Sequence, residues 1–557
     1  MSNCDVKITS DYGWAHFDEY WGSVWVKGYI FEYPQLQVFA EKLAQLVKTA
    51  SEEDIKKYLA DVDGHFAIVL KTPEILFAAV DRIRSIPLFF ADCLDHMILT
   101  DQPTKLKYKL VNLERPSALE DRLMLQMSGY CSGSATLLDG VKQLQSGEYL
   151  KFSGCTKLEV GSYYTYHPAN PVAITEKVEL KRSLEAASIR VLQKIIDSAE
   201  GRAIVVPLSG GYDSRLVASG FAHLGYKNVK CFSYGQKNNF ESLISRKVAE
   251  KLGYEWKFIK LTHDIVRTDY LSELHQDYFS FSNTFASVPV EHEFTAVHLL
   301  KESGWIPDDA IFVNGMSGDF LTGSHIPKTL QSDRGDLNKQ ERKDLILSTL
   351  INKHYSLWTH LKTSENNKLV ADNLWNEIVK EVNGLPENSF DDFGLYEFSE
   401  FKNRQTKYVI TVQRVYEFFG YEWRLPLWDK EYLDYWENIQ LTHKVNRNLF
   451  VEVMYDLDWG GVWSLKLPSP YITPKWISMV RVVIKGLFVF IGRDNWKKFD
   501  KKVFYYWTEI LCKMGVVSYS KVLLDTRGYR NAISWLTEGY LDKIQTEDRS
   551  KNSIADE

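Results

Sequence analysis

The residues with the clearest chemistry are Ser209-Gly210-Gly211-Tyr212-Asp213-Ser214. Two adjacent glycines let the backbone curl until several N–H groups point at one spot, and two serines add hydroxyl donors. Such a turn invites an anion, phosphate above all. Asp213 would repel phosphate unless a cation bridges them, so the hexapeptide predicts a phosphate cradle that works with Mg2+. The chain contains no Gly-Lys pair, so the other common phosphate loop, with Lys behind its last Gly, is absent. His292 and His298 flank Glu293 in a loosely zinc-protease-like order. Six steps along a helix turn the chain by about 240°, so those rings share no face.

The surrounding pattern predicts how the hexapeptide is held. The apolar run 203–208 reads as a strand, and 213–224 places Leu216, Val217, Phe221 and Leu224 on one helical side. A second strand over 229–234, a helix over 241–252 stopped by Gly253 and a third strand over 256–261 follow. Strand and helix alternating this closely predict parallel strands with crossover helices, and the helix after Asp213 adds its positive end to the cradle. A further strand is expected at 310–313, after a helical segment near 292–301. Residues 1–165 read as short strands joined by turns, a layered α+β unit, with a linker over 168–171 and a helix over 176–199. Beyond 340 the chain reads as helical. The polar stretch 329–344 is expected to be a mobile excursion, and the tail from 546 to fray.

The chain has 557 residues and 76 aromatic rings, enough for several domains with large cores. Its net charge of −6 argues against a nucleic-acid partner. Six cysteines with no Cys-x-x-Cys pair exclude a disulfide scaffold and a zinc ribbon. The first thirty residues lack a basic head and apolar core, so no signal peptide is expected and a cytoplasmic setting follows. The apolar stretch 479–492 is interrupted by Arg481 and Lys485 and is too short to span a bilayer. Residues 475–502 hold eight Lys/Arg against two Asp, with Trp476 and Trp496 near the edges. That composition fits a core helix or peripheral contact with the inner face of a membrane.

Ser-Gly-Gly-x-Asp-Ser after an apolar strand resembles the pyrophosphate loop of the ATP-pyrophosphatase superfamily, and the chain from about 20 to 450 is similar to the asparagine synthetase family. Further similarity lies in 61–90, with its Gly-x-Phe-Ala strand and Asp-x-x-x-x-x-Pro-Leu segment, and in 136–147. The resemblance implies an α/β protein of three parts. Residues 1–168 would be a glutaminase-like, Ntn-hydrolase-like layered α+β domain. Residues 175–450 would be a parallel-sheet ATP-pyrophosphatase domain; 451–557 lie beyond the resemblance and read as a helical extension. It implies that Ser209, Gly210, Gly211, Asp213 and Ser214 bind the ATP phosphates that leave as pyrophosphate. Leu208 and Ser233 would border adenine and ribose. Gly315 lies in Asn314-Gly315-Met316-Ser317-Gly318-Asp319, where Asp319 would join Asp213 in holding Mg2+. Glu422 and Arg424 match a Glu-x-Arg-x-Pro segment, and Lys444 stands where the family keeps a Lys that steadies the transition state.

Two departures shape the expected function. A class II glutaminase needs Cys at its mature N-terminus, because the free amine serves as base. Here Cys4 follows Met1-Ser2-Asn3, so the N-terminal domain is expected to be inert toward glutamine. Met316 and Phe320 stand where the family has two Glu, which removes the basis for aspartate as substrate. The expected activity is ATP-dependent, AMP-forming ligation of a small-molecule or sugar carboxylate, a uronic acid of surface polysaccharide being one example, to ammonia or an amine. The alternatives are true asparagine synthesis, an intramolecular cyclising ligase of the β-lactam synthetase or lasso-peptide cyclase kind, and a tRNA-modifying pyrophosphatase with the same loop. The sequence fixes no oligomeric state.

Overall fold

The computed structural model describes residues 4–9, 12–93, 96–107, 119–153, 158–168, 176–466, 471–488 and 492–555. Residues 169–171 of the expected linker, and Met1 to Asn3, lie outside these. The N-terminal strands are β1 (Cys4–Lys7), β2 (Ala15–Glu19), β3 (Gly22–Ile30), β4 (Gly64–Lys71), β5 (Ile75–Val80), β6 (Phe89–Cys93), β7 (His96–Thr100), β8 (Val141–Gln143), β9 (Glu148–Ser153) and β10 (Glu159–Ser162). Helices α1 (Leu36–Thr49) and α2 (Glu52–Asp61) separate β3 from β4. One sheet runs β10-β9-β5-β4-β3-β2 and is antiparallel; the other runs β1-β7-β6-β8.

The two-residue period of β4 sorts its side chains between layers. Phe66, Ile68 and Leu70 share a core with Phe39, Leu43 and Leu59 of the two helices. Ala67 and Val69 share another with Met97 and Leu99 of β7. Helices, sheet and sheet thus stack as the layered α+β unit that the sequence predicts. Cys4 opens β1 opposite Met97 and is buried.

Helix α3 (Lys177–Ala199), on the segment expected to be helical, buries Leu180, Leu184, Ala187, Val191 and Ile195. It leads into a sheet of β11 (Ile204–Pro207), β12 (Val229–Gly235), β13 (Glu255–Lys260), β14 (Ile311–Val313) and β15 (Glu422–Arg424). Every pairing is parallel and the order is β13-β12-β11-β14-β15. Helices α4 (Tyr212–His223) and α5 (Phe240–Leu252) make the crossovers between β11, β12 and β13.

The rest is largely helical. The helices Lys339–His354, Ser364–Val382 and Asp392–Ser399 share one core. Two expectations are corrected here. Residues 339–344 begin a helix: Asn338 and Glu341 form a capping box, and Arg342 turns inward to pair with Asp392 at 2.6 Å. The tail does not fray at 546 but continues a helix, Ala532–Ala555, anchored by buried Trp535, Tyr540 and Leu541. The basic stretch near 475–502 forms two helices, α6 (Lys475–Leu487) and α7 (Arg493–Val503). Among the described residues, no helix is long and apolar enough to cross a membrane.

Candidate active site

The strand order builds a crevice before any side chain is considered. The chain moves outward from β11 through β12 to β13, then returns to add β14 on the other side of β11. Connections therefore leave the C-terminal ends of β11 and β14 in opposite directions and part to form a cleft. The connection after β11 carries Ser209 to Gly211, and that after β14 carries Asn314 to Ser317. Both segments singled out in the sequence meet there.

Helix α4 begins with Gly211 as its N-cap and no side chain caps it. Its neighbour α5 is closed by Asn239, whose side chain accepts from Ser242 N at 2.8 Å. The first-turn N–H groups of α4, with the positive end of its dipole, are thus left for a ligand. The loop braces itself. Ser209 Oγ accepts from Gly211 N at 3.1 Å, and Ser214 Oγ accepts from Ser209 N at 3.0 Å. The second segment lies directly on this turn. A Cβ on Gly315 would stand 2.8 Å from the Asp213 carbonyl carbon, and one on Gly318 would stand 2.7 Å from the Asp213 carboxylate. Only glycine permits that approach.

The approach brings Asp213 and Asp319 together. Asp319 N donates to Asp213 Oδ2 at 3.0 Å, and the Arg447 guanidinium pairs with Asp213 Oδ1. Burial pushes the Asp213 carboxyl up to about 6, with the charge of Asp319 adding to it and Arg447 opposing. Behind Asp319 stands His325, its Nε2 3.1 Å from Asp319 Oδ2 and its Nδ1 2.5 Å from Glu400 Oε1. Burial alone would favour the neutral ring, but the Glu400 charge and the bonds to both acids outweigh it and hold His325 at about 9. The imidazolium in turn outweighs burial at Asp319 and keeps that carboxyl below its usual range. Glu400 opens a π-helix, Glu400–Gln405, whose wider turn lets Gln405 Nε2 donate to Glu400 Oε1 at 2.9 Å.

Sequence reasoning missed Arg447, His325 and Glu400. The only signal for Arg447 was its place three residues after Lys444. It is aimed by a kink in which Asn446 and Arg447 both take left-handed backbone conformations, a strain that proteins keep where a side chain must point at a site.

The structure disperses the three residues expected to be catalytic. In the sheet register Glu422 is level with Ile311 and Ile204, at the strand starts, the edge opposite the cradle. It pairs with Arg202 at 2.5 Å and with Arg424 at 3.1 Å. Glu422 and Arg424 face a cleft of about 390 Å3 against Tyr12, Lys27 and Tyr29. Arg424 ends β15 level with Val313, and its carbonyl accepts from Asn314 N at 3.3 Å, but its side chain turns away from the cradle to Glu422 and to Ser198 Oγ at 3.1 Å. Lys444 is nearer but fully buried, bound to Glu397 at 2.5 Å and to Tyr166 OH at 3.3 Å. Its backbone presses on Gly323, so it supports the 314–325 segment from beneath.

Leu208 is buried at the cradle floor, and Ser233 lies buried on β12 with a hydroxyl that has no partner among the described residues. That orphaned hydroxyl, and the uncapped helix, fit a nucleotide. The donor set of two carboxylates fits Mg2+, which takes one or two such ligands beside phosphate and water. Bound there, the cation would compete with Arg447 for Asp213 Oδ1. Phe320 is buried against Tyr166, Phe401, Trp428 and His325, an aromatic wall where the family has an acid. Farther along the strand ends, a cavity of about 300 Å3 is lined by Leu261, Glu291, His292, Arg404 and Lys513.

A family model described as asparagine synthase matches residues 199–457. No curated protein matches the chain in sequence. Among solved structures, the allosteric regulatory enzyme of purine biosynthesis is 13 % identical, over 44 % of this chain and 62 % of its own, with a TM-score of 0.18. The glutamine phosphoribosylpyrophosphate amidotransferase from B. subtilis, complexed with ADP and GMP, is 12 % identical over 54 % of this chain and 63 % of its own, with a TM-score of 0.17. The NH3-dependent NAD synthetase from Campylobacter jejuni is 14 % identical over 38 % of this chain and 99 % of its own, with a TM-score of 0.20. This chain thus spans less than two thirds of the length of the first two, and at these TM-scores the likeness carries no argument. The family match rests instead on the sequence, and it encloses the loop, the parallel sheet and both aspartates: residues 199–457 form a domain of the asparagine synthase family.

Proposed function

We propose that the chain is an ATP-dependent amide ligase that activates a carboxylate by adenylation, releases pyrophosphate and passes the acyl group to ammonia or an amine. The observation that carries this reading is the meeting of Asp213, Asp319 and the uncapped N-terminus of α4 at one crevice. Bound Mg2+ would neutralise phosphate charge there, held by Asp213 and Asp319. The remaining work falls to the protein. The first-turn N–H groups of α4 and the serines of the loop cradle phosphate oxygens. His325, held cationic between Asp319 and Glu400, fixes the orientation of Asp319. Arg447 pairs with Asp213 and offsets its charge.

The acid is one other than aspartate, with a uronic acid of surface polysaccharide the first to test. Phe320 supplies no carboxylate to hold an amino group, and the neighbouring cavity sets Lys513 and Arg404, the latter also paired with Glu400 at 3.3 Å, against Glu291 and Glu509. The nitrogen does not come from glutamine. Cys4 is buried within β1, its carbonyl accepts from Lys71 Nζ at 2.8 Å, and burial pushes its thiol up. A nucleophilic thiol needs access and a lowered pKa.

ATP–pyrophosphate exchange against a panel of carboxylates, with products identified by mass spectrometry, tests the reading. AMP and pyrophosphate are expected, with ammonium and not glutamine as donor. ADP as the main nucleotide product would overturn it.

A further inference from the structure

Helix α6 is apolar on two sides, and the protein covers only one. Ile477 is buried, and Ile484 and Phe488 pack with it against Trp496 and Phe504 of the α7 region. Arg481, the charge that interrupts the apolar run in the sequence, also turns inward and pairs with Asp500 through two bonds of 2.5 and 2.6 Å. The outward side is then free of acids and strongly apolar. Trp476, Met479, Val482, Val483 and Leu487 are each more than 60 % exposed, and Val480 is 39 % exposed. At 100° per residue these six occupy an arc of about 160° on one helix. Single exposed apolar residues are ordinary, but a continuous stripe on one helix marks a surface that something covers.

The charge around the stripe selects what covers it. Lys475 and Lys485 are exposed on α6 itself, and Arg493, Lys498 and Lys502 are exposed on α7. Residues 475–502 carry eight Lys/Arg and two Asp, a local excess of six positive charges in a chain whose net charge is −6. A second copy would bring the same positive surface and be repelled. Anionic headgroups above an apolar layer match both features, with Trp476 placed as an interfacial ring. Thirteen residues span only about 20 Å, so α6 lies in the interface and does not cross it.

The stripe also borders a path inward. Met479, Val482 and Val483 line a groove of about 500 Å3 with Tyr471 and Ile472. The same Tyr471 and Ile472 line a cleft of about 740 Å3 that reaches Glu509. Glu509 and Tyr505 then line the 300 Å3 cavity beside the candidate site.

We infer that α6 and α7 dock the protein on an anionic membrane surface, with its grooves leading from that surface toward the candidate site. The direction of the grooves rests on the ligase reading; the docking does not. The test is flotation of the full chain with vesicles of phosphatidylcholine alone and of phosphatidylcholine with phosphatidylglycerol. Partition onto the anionic vesicles is expected to be at least about tenfold higher, and to fall with added salt. Val482→Glu together with Val483→Glu changes two exposed side chains and is expected to remove most of that partition, about tenfold or more, while circular dichroism and MgATP binding stay as in the wild type. Equal partition onto both vesicles, or unchanged binding by the double variant, would overturn the inference. A wild-type dimer that the double variant converts to monomer would overturn it too, assigning the stripe to a second copy. Flotation needs no turnover, so its result is independent of whether the chain adenylates an acid.

Discussion

Asp81 and Asp213 are both buried aspartates whose carboxyls burial pushes up to about 6, yet they differ in what holds them. Asp81, in the N-terminal sheets, is satisfied by its own neighbourhood. The N–H groups of Phe66 and Ile83 donate at 2.9 and 2.8 Å, and Ser85 adds its N–H and hydroxyl. All lie within 15 residues of it. The partners of Asp213 come from 106 and 234 residues away, on separate elements that meet at the reversal of the sheet. One of them is a guanidinium on a side chain, which can leave. A carboxylate saturated by local backbone shapes a turn. A carboxylate met by distant elements at a crevice is available to a ligand.

The sharpest break of this comparison is to remove the charge from each in turn. Asp213→Asn is expected to lower ATP–pyrophosphate exchange by at least about 100-fold with little loss of stability. Asp81→Asn is expected to do the reverse. Its amide cannot accept all four bonds, so unfolding in urea should come earlier by about 1–3 kcal/mol, while exchange by the folded fraction persists. The comparison fails if both variants behave alike.

His325 sharpens it through pH. Its ring is held at about 9, above the usual histidine value, so the stability it contributes is complete below about pH 6.5 and is lost as pH rises through 9. Urea denaturation of the wild type should show a loss on the order of 2–3 kcal/mol between pH 7 and 10 that His325→Gln lacks. The variant should also exchange pyrophosphate roughly tenfold more slowly, because Asp319 loses its partner. A smaller effect is expected from Arg447→Met. Arg447 holds the Asp213 carboxyl down against burial, so its loss should move the acid limb of the exchange profile upward from near pH 6. The smallest is expected at Glu422, whose side chain is 52 % exposed. Glu422→Gln should leave exchange within about twofold and cost less than about 1 kcal/mol.

The sequence carried the local half of this architecture. Strands β11, β12 and β13 and the helices between them were legible because each has its own hydrophobic period and a turn at its end. The hexapeptide was legible because the cradle is contiguous. What escaped was the convergence. Nothing near Asp213 announces Arg447, and nothing near Asp319 announces Glu400, because the fold and not the spacing sets those contacts. The same reason misled at Glu422 and Arg424: a short motif shows its residue types but not which end of a strand Glu422 takes or which way the Arg424 side chain turns. The capped start at Asn338 was missed because a polar run hides a capping box as readily as a loop.

Titration of MgATP into the protein by calorimetry isolates the cradle from the rest of the reaction, since it needs neither the acid nor the nitrogen donor. One site is expected in the wild type, retained by Glu422→Gln and Asp81→Asn and lost, or weakened at least about tenfold, by Asp213→Asn. Equal affinity in the wild type and Asp213→Asn would contradict it.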